Sequence, residues 1–205
     1  KRSGRRHRQD LARLHEIDRG EVRKSAGGPS LAEHVGAPYC LHRTAEMRHP
    51  FTGIDDGDEI ALGNVRIRVL HTPGHTLESI SLLVTDLRRG AAPWFVITGD
   101  TLFSGVGRPD LPGEARQNAS RLYGSLQEKL LTLPDEVEVY PAHFGGSACG
   151  AGLSGKPSST IGFERRFNPT LSLDRAAFID ALSAAPPKPD DSEAILAFNR
   201  GELAG

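Results

Sequence analysis

The feature that most constrains this chain is a local design used three times: a short apolar run that ends on a side chain able to ligate a metal. Val65 to Leu70 leads into His71-Thr72-Pro73-Gly74-His75-Thr76, Trp94 to Ile97 into Thr98-Gly99-Asp100-Thr101, and Val137 to Val139 into Tyr140-Pro141-Ala142-His143. In the first run Val65, Ile67 and Val69 alternate with Arg66 and Arg68, the period-2 pattern of a strand with one apolar face. The other two runs are more continuously apolar, as expected of strands covered on both faces, and Ile80 to Val84 reads the same way. A Pro-Gly turn at a strand end can hold an imidazole rigidly outside the sheet edge, and Gly99 lets the backbone beside Asp100 approach closely. Singly, each residue has an ordinary reading: a loop histidine is usually a surface group, and an aspartate after glycine usually forms a turn. Jointly, three strand ends that each deliver an imidazole or a carboxylate form a set that suits Zn or non-haem Fe(II).

The rest of the chain supplies a frame for those strand ends. Its 205 residues suit one domain spanning 1–205, with 38% hydrophobic and 25% charged residues. Pro38 to Leu41 and Glu59 to Leu62 are further strands, the latter between the Asp56-Gly57 and Gly63-Asn64 turns. Ser120 to Leu131 is expected to be a helix with Leu122, Leu126 and Leu130 on one stripe. Helices are also expected at about Leu173 to Ser183 and Ser192 to Asn199, parted by Pro186-Pro187-Lys188-Pro189. A short amphipathic helix is expected near Leu11, Leu14 and Ile17, and Gly27-Gly28-Pro29 reads as a break. Residues 1–10 read as a flexible basic arm, and the chain opens on Lys1 rather than Met, as a fragment or a processed form would.

Lys plus Arg number 25 against 26 Asp plus Glu, a balance that gives no reason to expect nucleic acid as a partner. No apolar run approaches the roughly 20 residues that span a bilayer, so no membrane contact is expected either. Cys40 and Cys149 make no disulfide framework, which points to a reducing, cytoplasmic setting; Cys149 reads as a packed cysteine.

At the three strand ends the sequence resembles the metallo-β-lactamase superfamily, over roughly Ala26 to Gly201, and within it the branch of glyoxalase II and the persulfide dioxygenases. The stretch Asp100-Thr101-Leu102-Phe103-Ser104-Gly105-Val106-Gly107-Arg108-Pro109-Asp110-Leu111 is similar to the GDTLF…GRPDL stretch of persulfide dioxygenases. So are His143-Phe144-Gly145-Gly146-Ser147-Ala148-Cys149-Gly150 and Gly162-Phe163-Glu164-Arg165-Arg166-Phe167-Asn168. The resemblance implies an α/β fold, an αββα sandwich with its metal site along one edge of the sheets. It implies His75, Asp100 and His143 as metal ligands and makes His71 structural. Arg108 divides evenly between anchoring a thiol substrate's carboxylate and holding its own loop, since both suit a guanidinium fork.

One part of the pattern departs. The superfamily's first ligand cluster, His-x-His-x-Asp-His, occurs nowhere in the chain. The region where it is expected reads His15-Glu16-Ile17-Asp18-Arg19-Gly20-Glu21-Val22-Arg23-Lys24. Depending on register, its positions fall on Glu16, Asp18, Gly20 and Glu21 or on Arg19, Glu21, Arg23 and Lys24, and the sandwich is expected to lack part of its N-terminal sheet. The resemblance therefore implies a persulfide dioxygenase-like metalloprotein acting on a low-molecular-weight thiol persulfide such as glutathione persulfide, with Fe(II) as cofactor and Zn as the alternative. The competing expectations are a glyoxalase II-like thioester hydrolase and a non-catalytic homologue. A small thiol is the expected partner, and a homo-oligomer is compatible with the sequence.

Overall fold

The structure is a computed structural model and describes residues 27–110, 113–143, 156–184 and 192–202. The basic arm, the helix expected near Leu11 to Ile17, the Glu16 to Lys24 stretch and Cys149 lie outside the described residues. Two compact units divide the chain: 1–41, 46–52 and 189–205 in one, 42–45 and 53–188 in the other.

In the first unit, helix α1 (Gly27–Val35) begins where the sequence suggested a break. Proline in a first turn sacrifices no intrahelical hydrogen bond, so Pro29 is accommodated at the start of this helix and does not break the chain. Here the Arg48 N–H donates to the Arg200 carbonyl at 2.9 Å, just after helix α5 (Ser192–Asn199).

The second unit contains the strand ends of interest. Strands β1 (Cys40–His42) and β2 (Thr52–Ile54) reach into it by their last residues. Its sheet has six strands in the order β3 (Glu59–Leu62), β4 (Val65–His71), β5 (Ile80–Asp86), β6 (Phe95–Gly99), β7 (Glu138–Pro141) and β8 (Ser159–Thr160). All neighbours are antiparallel except β6 and β7. That parallel step requires a crossover, and helix α2 (Ala115–Ser125), continued by a π-helical turn over Leu126–Leu130, provides it. Parallel pairing places the ends of β6 and β7 at the same sheet edge, so the residues that follow them, Asp100 and His143, arrive side by side.

Registry explains which face is buried. Arg68, Leu83, Val96 and Val139 align across four strands, and Val96 and Val139 are fully buried. Leu122, Leu126 and Leu130 of the crossover belong to the same core, each fully buried on the stripe that the sequence implied. Helix α2 starts five residues earlier than Ser120, and after Ser125 the backbone widens to i→i+5 bonding, with the Leu131 N–H donating to the Leu126 carbonyl. On the other face Val69 and Val84 are buried but Ile97 is 38% exposed, so β6 is more open than its unbroken apolar run suggested. Helix α3 (Ile161–Phe167), a 3₁₀ turn at Pro169–Ser172 and helix α4 (Arg175–Ser183) complete the unit, with Ile161, Leu171 and Phe178 in the core.

Each such leucine contributes about 2 kcal/mol by leaving water. Leu122→Ala is expected to cost about 2–5 kcal/mol of unfolding free energy. In urea denaturation the midpoint should fall with little change in slope.

Candidate metal centre

His75 owes its placement to backbone constraints on both sides. β4 ends at His71, and the turn through Pro73 and Gly74 runs against helix α2. Gly74 has φ 146°, and a Cβ there would collide with the backbone of Leu122, so only glycine fits. The Ser125 hydroxyl donates to the Pro73 carbonyl at 2.7 Å, and the Gly74 N–H donates to the Thr76 carbonyl at 2.9 Å. The imidazole that results is buried, with Nδ1 2.9 Å from the Arg108 carbonyl and Nε2 3.3 Å from Asp100 Oδ2.

Asp100 follows a register irregularity in β6 between Ile97 and Gly99. Gly99 sits at φ 53°, in the left-handed region, and turns the carboxylate over the sheet edge. The Thr98 hydroxyl donates to the Leu102 carbonyl at 2.6 Å. Buried hydroxyls of Thr101, Thr72 and Ser81 join the ends of β6, β4 and β5, with Thr101 to Thr72 at 3.1 Å and Thr72 to Ser81 at 3.0 Å. From β7, the Ala142 N–H donates to the Gly99 carbonyl at 3.1 Å and the next residue, His143, places Nδ1 2.5 Å from Asp100 Oδ1. All three residues singled out in the sequence therefore meet at the Asp100 carboxylate.

The loop from Asp100 to Arg108 folds back on its own start. A Cβ on Gly107 would collide with the Asp100 carbonyl oxygen and lie 3.2 Å from the Cβ of His75. Glycine at 107 thus lets the Arg108 carbonyl reach His75. A carbonyl oxygen only accepts, so Nδ1 of His75 carries a proton and donates. Its Nε2 then faces a carboxylate oxygen across 3.3 Å, and two acceptors at that distance need a cation, proton or metal, between them. Among the described residues no group of three or more His, Cys, Asp or Glu side chains is set as a finished cage. The donors nevertheless fit a metal: a histidine whose other nitrogen is tied to a carbonyl, a carboxylate, and a second imidazole bonded to that carboxylate are the ligand and outer-shell chemistry of Zn and non-haem Fe.

Arg108 reaches the centre by its carbonyl. Its guanidinium forms two 2.7 Å bonds to Asp110, a loop-holding arrangement. His71 stands outside the cluster, donating from Nε2 to the Leu77 carbonyl at 2.8 Å and stacking on His42 with centroids 3.6 Å apart and planes 8° from parallel. His42 is buried, and burial first, then the neighbouring His71 ring, holds its pKa below the ordinary 6.5. Gly107, Thr72, Ser81, Asn168 and Glu164 escaped the sequence reading as site residues. Gly107, Glu164 and Asn168 left a signal only as members of the stretches that resemble persulfide dioxygenases.

No family model matches the chain. It is 44% identical over 151 residues to an uncharacterized protein of Mycobacterium leprae, covering 70% of this chain and 56% of that one. To the human mitochondrial persulfide dioxygenase ETHE1 it is 31% identical over 148 residues, covering 71% of this chain and 52% of that one. Among solved structures, a metallo-beta-lactamase from Staphylococcus aureus superposes with a TM-score of 0.77 at 32% identity, covering 84% of this chain and 53% of that chain. ETHE1 from Myxococcus xanthus gives a TM-score of 0.68 at 32% identity, covering 85% of this chain and 70% of that chain. The chain spans about half the length of the curated relatives it matches.

Two outcomes follow from this geometry. Gly107→Ala should displace the Arg108 carbonyl from His75, and amide hydrogen exchange across Thr101 to Arg108 should accelerate at least about tenfold. Because the folded pKa of His42 lies below its unfolded value, the unfolded chain takes up that proton first as pH falls. This contribution to stability is whole above pH ~6.5 and is lost below it, so urea midpoints should drop between pH 7 and 5. The drop should shrink in His42→Phe.

Proposed function

This chain belongs to the metallo-β-lactamase superfamily, and on that premise we propose that it is a persulfide dioxygenase-type metalloprotein acting on a low-molecular-weight thiol persulfide such as glutathione persulfide. The observation that carries the reading is the placement of the Asp100 carboxylate between two imidazoles, with His75 fixed as an Nδ1–H tautomer by the Arg108 carbonyl. The likeness to a human persulfide dioxygenase supports the substrate class.

His75 through Nε2 and Asp100 through its carboxylate would hold Fe(II), with Zn as the alternative. His143 would either ligate directly or brace Asp100 from the second sphere. Bound there, iron supplies positions for a sulfur substrate and for dioxygen, together with one-electron chemistry. The chain's own residues do the rest. The Arg108 carbonyl holds the proton on Nδ1 of His75 and leaves the lone pair of Nε2 free to ligate. Next to His143, a cavity of about 320 Å³ is lined by Phe103, Ser104, Lys156, Ser159 and Phe163, among others. Its size is at the small end of ligand sites, which suits a small thiol. Phe103 and Phe163 line it with apolar surface for the thiol's chain. The setting we propose is cytoplasmic; no helix among the described residues is long and apolar enough to cross a membrane.

Oxygen uptake by the Fe(II)-loaded chain with glutathione persulfide tests this function. Uptake of one dioxygen per persulfide is expected, with water consumed and sulfite and the free thiol as products, and His75→Ala should reduce it at least about a hundredfold. Thiol release from a thioester by the Zn-loaded chain, with no oxygen uptake, would replace the reading with hydrolysis. Neither activity, in a chain that folds, would make it a non-catalytic homologue.

A further inference from the structure

The loop that joins Asp100 to Arg108 carries one proposed ligand at its start and the orienting carbonyl of the other at its end. Its tip is held from a different part of the chain. Asn168, buried at the end of α3, directs Nδ2 at the Gly105 carbonyl (3.2 Å) and the Phe103 carbonyl (3.5 Å). The same amide donates to Glu164 Oε2 at 2.9 Å. Glu164 is 2% exposed, and its second oxygen, Oε1, accepts the Ser159 hydroxyl at 2.5 Å. The Asn168 N–H donates to the Glu164 carbonyl at 2.9 Å, and Asn168 Oδ1 accepts the Thr170 N–H at 3.1 Å, so the amide cannot swing away. A buried carboxyl group is costly unless it is satisfied. Here one end of it orients Asn168 and the other fastens β8.

We propose that Glu164 and Asn168 are positioning residues that clamp the loop tip at Phe103 and Gly105, and thereby set the placement of the His75 imidazole relative to the Asp100 carboxylate. The inference rests on the ligand roles proposed above. Loop geometry transmits it: with Gly107 packed on the Asp100 carbonyl, a tip that moves at Gly105 carries the Arg108 carbonyl with it, and His75 loses the acceptor that fixes its tautomer. Outer-shell partners of this kind alter metal affinity roughly 10–100-fold.

The test uses the whole chain, with Co(II) as the metal probe and ¹⁵N-histidine NMR of the metal-free protein. Asn168→Ala and Glu164→Ala should each weaken Co(II) binding at least about tenfold and change the visible Co(II) spectrum. Glu164→Gln, which keeps an acceptor for Asn168, should restore affinity to within about threefold of the parent. In the metal-free protein His75 should be the Nδ1–H tautomer, and Asn168→Ala should mix the two tautomers. Lower thermal midpoints for the two alanine variants with parental Co(II) affinity and spectrum would overturn the proposal and leave a purely structural clamp. If the parent chain takes up no Co(II), the ligand reading has failed. The tautomer then decides the clamp separately: a His75 tautomer unchanged by Asn168→Ala overturns it, and a mixed one supports it.

Discussion

Everything at the candidate centre depends on the close backbone approach at Gly107. There the chain returns from its excursion beyond β6 and packs on the carbonyl of Asp100, beside the Cβ of His75. No side chain fits in that gap. Because the gap is closed, the Arg108 carbonyl lies 2.9 Å from Nδ1 of His75 and leaves Nε2 aimed at the Asp100 carboxylate. The arrangement is thus a backbone property before it is a side-chain one: a carbonyl fixes a tautomer, and the tautomer turns the lone pair of Nε2 towards a carboxylate.

The sheet supplies the other half of the arrangement. Parallel pairing of β6 and β7 through the α2 crossover brings Asp100 and His143 to one edge, and antiparallel pairing of β4 with β5 brings the His75 turn to the same edge. The hydroxyls of Thr72, Ser81 and Thr101 tie these strand ends together below the candidate ligands. A site on the ends of rigid strands has little freedom to relax, so small displacements of its loop carry chemical consequences.

Much of this was legible in the sequence where period and burial coincide. The alternation from Val65 to Val69 placed β4, and the leucines at 122, 126 and 130 marked the buried stripe of the crossover. The three ligand candidates were legible because each closes an apolar strand. What stayed hidden is held by contacts distant in sequence. Helix α3 is short and carries Phe163 and Phe167 exposed, so its apolar residues follow no stripe that a periodicity could detect. Glu164 stands in a stretch that carries the family resemblance, but only the fold shows it buried between Ser159 and Asn168. The stacked His42 and His71 are equally invisible, being 29 positions apart. The start of α1 was missed because Gly-Gly-Pro is a breaker inside a helix but acceptable in its first turn.

The central claim is that Asp100 gathers His75 and His143 around a metal. Equilibrium dialysis of the chain against Zn(II), compared with Asp100→Asn, tests it most directly. The substitution preserves shape while removing the charge that both imidazoles face. The account predicts specific binding of Zn(II) by the parent chain and at least about a hundredfold weaker binding by the variant, both remaining folded. Equal binding by the two proteins, or none by the parent, would contradict it.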